Sequence, residues 1–145
     1  MALPEALGPL VLGLHHVAIV VASIEEARKT YEGVLGMTAS ELEHVPDQKV
    51  NVLVLYAGEQ RIELVEPAAE DSPVQGFLAK RGGGLHHLAY RVADLGQVLE
   101  QLTRAGVRLI DSAPRPGAHG TRIAFVHPKA TGGVLTELVE VPASL

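Results

Sequence analysis

The chain has 145 residues, 47% of them hydrophobic and 3% aromatic, with no cysteine and a formal net charge of −5. One domain's length at that apolar content can build a core from Val, Leu, Ile and Ala, which argues against disorder, and the missing thiols exclude disulfides and any sulfur-ligated zinc site. The acidic balance without a basic run argues against a nucleic-acid groove, and the N-terminal MALPEALGPLVLGLHH, with no positive start and broken by Gly and Pro, reads as neither signal nor membrane span, so a cytoplasmic protein is expected.

Residues 14–22, LHHVAIVVA, form an apolar, β-branched run that predicts a buried strand. Ser23 follows as a helix cap with Glu26 three residues on, the capping-box form, and the helix runs past Arg28 and Tyr31 until Gly33 and Gly36 break it. Strands are predicted at about 36–44, at 50–57 (VNVLVLYA) and at 61–66 (RIELVE), the last two joined by the turn AGEQ. Residues 68–82 read as a linker with one short helix after Asp71-Ser72-Pro73. The pattern then restarts: a strand at GLHHLAYRVA, Asp94 as cap, a helix over 95–105 stopped by Gly106, and strands at VRLI, TRIAFVH and VLTELVEV.

The second half repeats the first. GLHHVA at 13–18 returns as GLHHLA at 84–89, offset by 71, and ELVE at 63–66 returns at 137–140, offset by 74. The order is βαβββ, link, βαβββ, with module 1 at about 12–67 and module 2 at about 83–142. Alternation along a strand puts His16 with Ala18 and His87 with Ala89, and turns Glu63 and Glu137 away from their flanking Ile/Leu and Thr/Leu neighbours. A carboxylate in mid-strand is costly without a partner. Two histidines and two glutamates from repeated units form a symmetric N/O donor set for a divalent ion, with Zn, Mn, Co, Ni and Fe(II) all compatible. His15 and His86 face the other way and are expected to hydrogen-bond between the halves; Glu66 and Glu140 are expected to meet solvent at strand ends.

At these residues the sequence resembles the vicinal oxygen chelate superfamily and, within it, the methylmalonyl-CoA epimerases. The matching segments are LHHVAI, IELVEP, EDSPV, FLAKRGGGLHHLAY, AGVRLID, PRPGAHG and HPKATGGVLTELVE, the GAHG and HPK…GGVL segments being the more specific. The resemblance implies an α+β fold, two tandem βαβββ modules forming a curved mixed sheet around a metal site, in one domain spanning 1–145. It puts the ligands at His16, Glu63, His87 and Glu137. It also implies interconversion of (2R)- and (2S)-methylmalonyl-CoA by proton abstraction at C2 through a metal-stabilised enolate, in a cytoplasmic homodimer. Some relatives have glutamine at the Glu63 position and a glutamate near Asn51 and Val52; here that glutamate is absent and the set resembles that of glyoxalase I. Glu63 and Glu137 are therefore the candidate acid/base pair, with Glu43 or a metal-bound water in reserve. Lys129 is a candidate contact for the CoA phosphates, and His119 a candidate loop residue over the substrate. The alternatives are a glyoxalase I-type isomerase, an extradiol dioxygenase and a non-enzymatic drug-binding protein of the same fold.

Overall fold

The structure is a computed structural model that describes residues 10–143; the reading of a leader rests mostly on residues 1–9, which lie outside them. Contacts divide the chain into two compact units, His16–His87 and a second made of the segment ending at His15 with that beginning at Leu88. The class is α+β, with mixed sheet in each unit.

In the unit His16–His87, β1 (Val11–Val20) contributes its second half. It is followed by α1 (Ile24–Tyr31), β2 (Thr38–Ala39), β3 (Glu43–Val45), β4 (Val50–Ala57), β5 (Gln60–Pro67), α2 (Pro73–Arg81) and the start of β6 (Gly84–Val92). The order is β2-β4-β5-β1, with β3 also on β4; β5 runs parallel to β1 and antiparallel to β4. The single strand expected over 36–44 is thus two short pieces pairing with different stretches of β4.

The other unit holds the rest of β6, α3 (Leu95–Arg104), β7 (Arg115–Pro116), β8 (Arg122–Val126) and β9 (Thr136–Glu140). Its order is β6-β9-β8-β7, with β9 parallel to β6 and antiparallel to β8. The strand expected at 107–110 is reduced to a single bridge, Leu109 to Val126. Its backbone is nonetheless used, since Ile110 and Asp111 N–H both donate to the Phe125 carbonyl.

Each sheet packs one face on its helix. Leu53, Leu55 and Leu64 close on Ile24 of α1, and Ala124, Val126 and Leu138 close on Leu95, Val98 and Leu99 of α3. The alternating pattern of β4 and β5 sends Val52, Val54, Glu63 and Val65 to the opposite face.

Both caps form as predicted: Ser23 Oγ accepts the Glu26 N–H at 3.2 Å, and Asp94 Oδ1 accepts the Gln97 N–H at 3.1 Å. Glu66 and Glu140 do not simply meet solvent. Glu66 Oε1 accepts the Ile24 N–H at 2.7 Å, and Glu140 Oε1 accepts the Leu95 N–H at 2.8 Å. The last glutamate of each ELVE therefore ties its strand to the first turn of its helix, where unbonded N–H groups and the helix dipole favour a carboxylate. Glu66 also accepts from Asn51 Nδ2 at 2.9 Å, and Glu140 from Arg122 at 3.1 Å. Glu66→Ala removes an acceptor from two part-buried donors and is expected to cost about 1–2 kcal/mol. For a chain of this size that is a fall in Tm of roughly 3–6 °C. A melt unchanged within a degree would remove the capping role.

Candidate metal centre

The register of β1 and β5 positions the first His/Glu pair. Ala18 and Glu63 are Cα partners across the parallel pair, and His16 is two residues before Ala18 on the same face. His16 is 3% and Glu63 8% exposed, so both polar groups have left water. They meet each other: His16 Nδ1 lies 3.2 Å from Glu63 Oε2. With its Nδ1–H directed to a carboxylate, the imidazole carries its lone pair on Nε2.

His16 Nε2 faces His87 Nε2 at 3.3 Å, and His87 is 8% exposed. Two nitrogens bound to one ion at about 2.0–2.1 Å stand roughly 2.9 Å apart at a right angle and about 3.4 Å apart in a tetrahedron. The observed separation falls in that interval. Glu63 thus meets the His16 ring at Nδ1, on the side away from the Nε2 that faces His87. The buried donors are nitrogen and carboxylate oxygen without thiolate, which suits a borderline divalent transition metal.

The second βαβββ module repeats the placement. Ala89 and Glu137 are Cα partners across β6 and β9, and His87 is two residues before Ala89, as His16 is before Ala18. Glu137 is 5% exposed, in mid-strand, paired across to Phe125 on β8.

The chain matches the model of the glyoxalase/bleomycin resistance protein/dioxygenase superfamily over residues 15–125. It is 49% identical to the uncharacterized protein YqjC of Bacillus subtilis over 88% of this chain and 91% of that one. It is 40% identical to the ethylmalonyl-CoA/methylmalonyl-CoA epimerase of Cereibacter sphaeroides, over 88% of this chain and 97% of the relative. The crystal structure of methylmalonyl-CoA epimerase from Mycobacterium tuberculosis superposes with a TM-score of 0.88 at 39% identity, covering 99% of this chain and 94% of that one. The chain belongs to the methylmalonyl-CoA epimerase family.

In this epimerase chain two further candidates, His119 and Lys129, lie in the unit that carries Glu137. His119 is exposed and takes a left-handed backbone, φ 58° and ψ 36°, inside the 3-10 turn Ala118–Gly120. The turn is closed by Thr121 Oγ1 donating to the Ala118 carbonyl at 2.7 Å. Gly117 is required beside it, because a Cβ there would meet Thr121 Oγ1 at 2.5 Å and Ile123 Cγ2 at 2.7 Å.

Lys129 is exposed in the 3-10 turn Pro128–Ala130, and its backbone N–H donates to His127 Nδ1 at 3.0 Å. Partial loss of solvent, then the charges of Arg108 and Lys129, hold the His127 pKa below the ordinary imidazole value. Arg108 was not singled out in the sequence, because it sits in a segment with no polar pattern of its own. The signal for it is cross-strand: the His127 N–H donates to the Arg108 carbonyl at 3.0 Å.

Glu43 in β3 has Val52 of β4 as its Cα partner. Val52, Val54 and Glu63 share a face, so Glu43 starts from the same face of the sheet as Glu63 and is half-buried there. A carboxylate therefore stands on the strand adjoining β4, beside Val52.

Proposed function

We propose that this chain carries out methylmalonyl-CoA epimerisation with one divalent metal ion held by His16, Glu63, His87 and Glu137, and with Glu63 and Glu137 as its acid/base pair. The observation that supports this most is the pair of buried imidazoles, His16 Nε2 and His87 Nε2, facing each other at 3.3 Å. The reaction needs the C2–H bond of the CoA thioester broken on one face and re-formed on the other. The bound ion supplies positive charge that stabilises the enolate as it develops. One glutamate, as carboxylate, takes the C2 proton, and the electron pair enters the enolate. The other, as carboxylic acid, returns a proton from the opposite face, which inverts C2. Two glutamates at the same register position of two repeated strand pairs suit opposite-face delivery. Burial of His16, Glu63, His87 and Glu137 limits the water that would compete for the enolate.

The CoA end is assigned to Lys129, with Arg108 beside His127 as a second cation, and His119, in the turn that precedes β8, is assigned to closing over the substrate. Lys129→Ala is expected to raise KM roughly two- to fivefold with kcat unchanged, the loss of an exposed charge contact used equally in ground and transition states. A fall in kcat at constant KM would reject the assignment.

No helix of the described residues is long and apolar enough to cross a membrane. A single domain, a cytoplasmic location, a homodimer and the absence of a nucleic-acid partner complete the proposal, and rest on the family resemblance and the acidic composition. Proton–deuterium exchange at C2 of methylmalonyl-CoA in D2O, with and without a metal chelator, tests the central reading.

A further inference from the structure

We propose that His86 is a positioning residue for His87: it holds the proton of His87 on Nδ1, so that Nε2 offers its lone pair to the ion. The inference rests on the reading of His87 as a metal ligand. Strand alternation starts the two side chains on opposite faces of β6, yet His86 Nδ1 and His87 Nδ1 approach to 2.8 Å. That is a hydrogen bond rather than a neighbour contact.

A neutral imidazole has one N–H and one lone-pair nitrogen. In His87 the nitrogen directed at His16 is Nε2. For Nε2 to ligate, the proton must sit on Nδ1 and needs an acceptor there, which His86 Nδ1 supplies when its own proton is on Nε2. The first module does the same job differently, with Glu63 Oε2 on His16 Nδ1. One histidine ligand is thus oriented by an anion and the other by a neutral ring, an asymmetry inside an otherwise repeated pattern.

The His86 ring is itself held. Phe77 of α2 meets it edge to face, with centroids 4.9 Å apart and planes at 90°. The Arg81 guanidinium stands 5.6 Å from the Phe77 ring centre on the same helix. The linker helix therefore packs against a ligand's hydrogen-bond partner. Outer partners of this kind tune metal affinity by roughly 10–100-fold in other metal sites.

The test is Zn2+ affinity, by competition with a chromophoric chelator, for the wild type, His86→Leu, His86→Asn and His87→Ala. His86→Leu removes the acceptor and is expected to bind zinc roughly 10–100-fold more weakly. His86→Asn places Oδ1 where Nδ1 was and is expected to stay within about threefold of wild type by keeping that acceptor. Equal loss in both variants, or no loss in His86→Leu, overturns the proposal. His87→Ala separates the two readings: if it keeps wild-type affinity, the metal assignment itself is wrong, whereas a loss there with none in His86→Leu defeats only the role of His86. Imidazole 15N spectra of the zinc-loaded wild type give a check independent of any variant's folding. A protonated Nδ1 on His87 with a protonated Nε2 on His86 is expected, and the reverse pattern overturns the proposal.

Discussion

His87→Ala is expected to purify without stoichiometric divalent metal and to lose exchange at C2 of methylmalonyl-CoA. His87 is buried, and its Nε2 faces the Nε2 of His16, so its removal takes away a whole ligand rather than an outer support. The loss in affinity should exceed the roughly 10–100-fold typical of an outer partner. Stabilisation of developing charge by a bound ion contributes several kcal/mol, which corresponds to a rate loss of roughly 10²–10⁴-fold. Metal content is read by elemental analysis after gentle purification, and thermal melts show whether the variant is folded. Metal content equal to wild type in a folded variant would sink the site.

Glu63→Gln separates ligation from basicity. The amide keeps the size and one acceptor oxygen, which can still accept from His16 Nδ1, now 3.2 Å from the carboxylate. It cannot take a proton from carbon at neutral pH. The variant should retain metal yet lose exchange from one C2 stereoisomer by roughly 10²–10⁴-fold, the usual contribution of a positioned base, while the other isomer still exchanges through Glu137. Exchange of each labelled isomer in D2O, followed separately, measures this. If both exchange at the wild-type rate, Glu63 only holds the ion. Glu43, on the same face of the sheet across from Val52, is then the base to replace next.

The helices were legible in the sequence because their ends are local chemistry. Ser23 and Asp94 precede apolar helix starts, and each side chain caps the turn beside it. The central strands were legible because two-residue periodicity survives folding: Leu53, Leu55 and Leu64 went to the helix side and Val54 and Glu63 away from it. The His/Glu candidates were legible because the chain writes the pattern twice. Edge pieces were not. The 107–110 segment is as apolar and β-branched as a strand, but the β8 backbone offers it one bridge and a few hydrogen bonds rather than a ladder.

What only the tertiary structure decided is which atoms face each other. Alternation alone sent His86 away from His87, and nothing local says that their ring nitrogens meet at 2.8 Å, since that depends on side-chain torsions set by Phe77 packing from the helix before β6. Glu66 and Glu140, charged residues at strand ends, read as solvated until the fold brings the N-termini of α1 and α3 over them. Composition and periodicity determine which face a residue takes, because the backbone fixes that within a few residues. Hydrogen-bond partners far apart in the chain are chosen by packing, which no window of sequence contains.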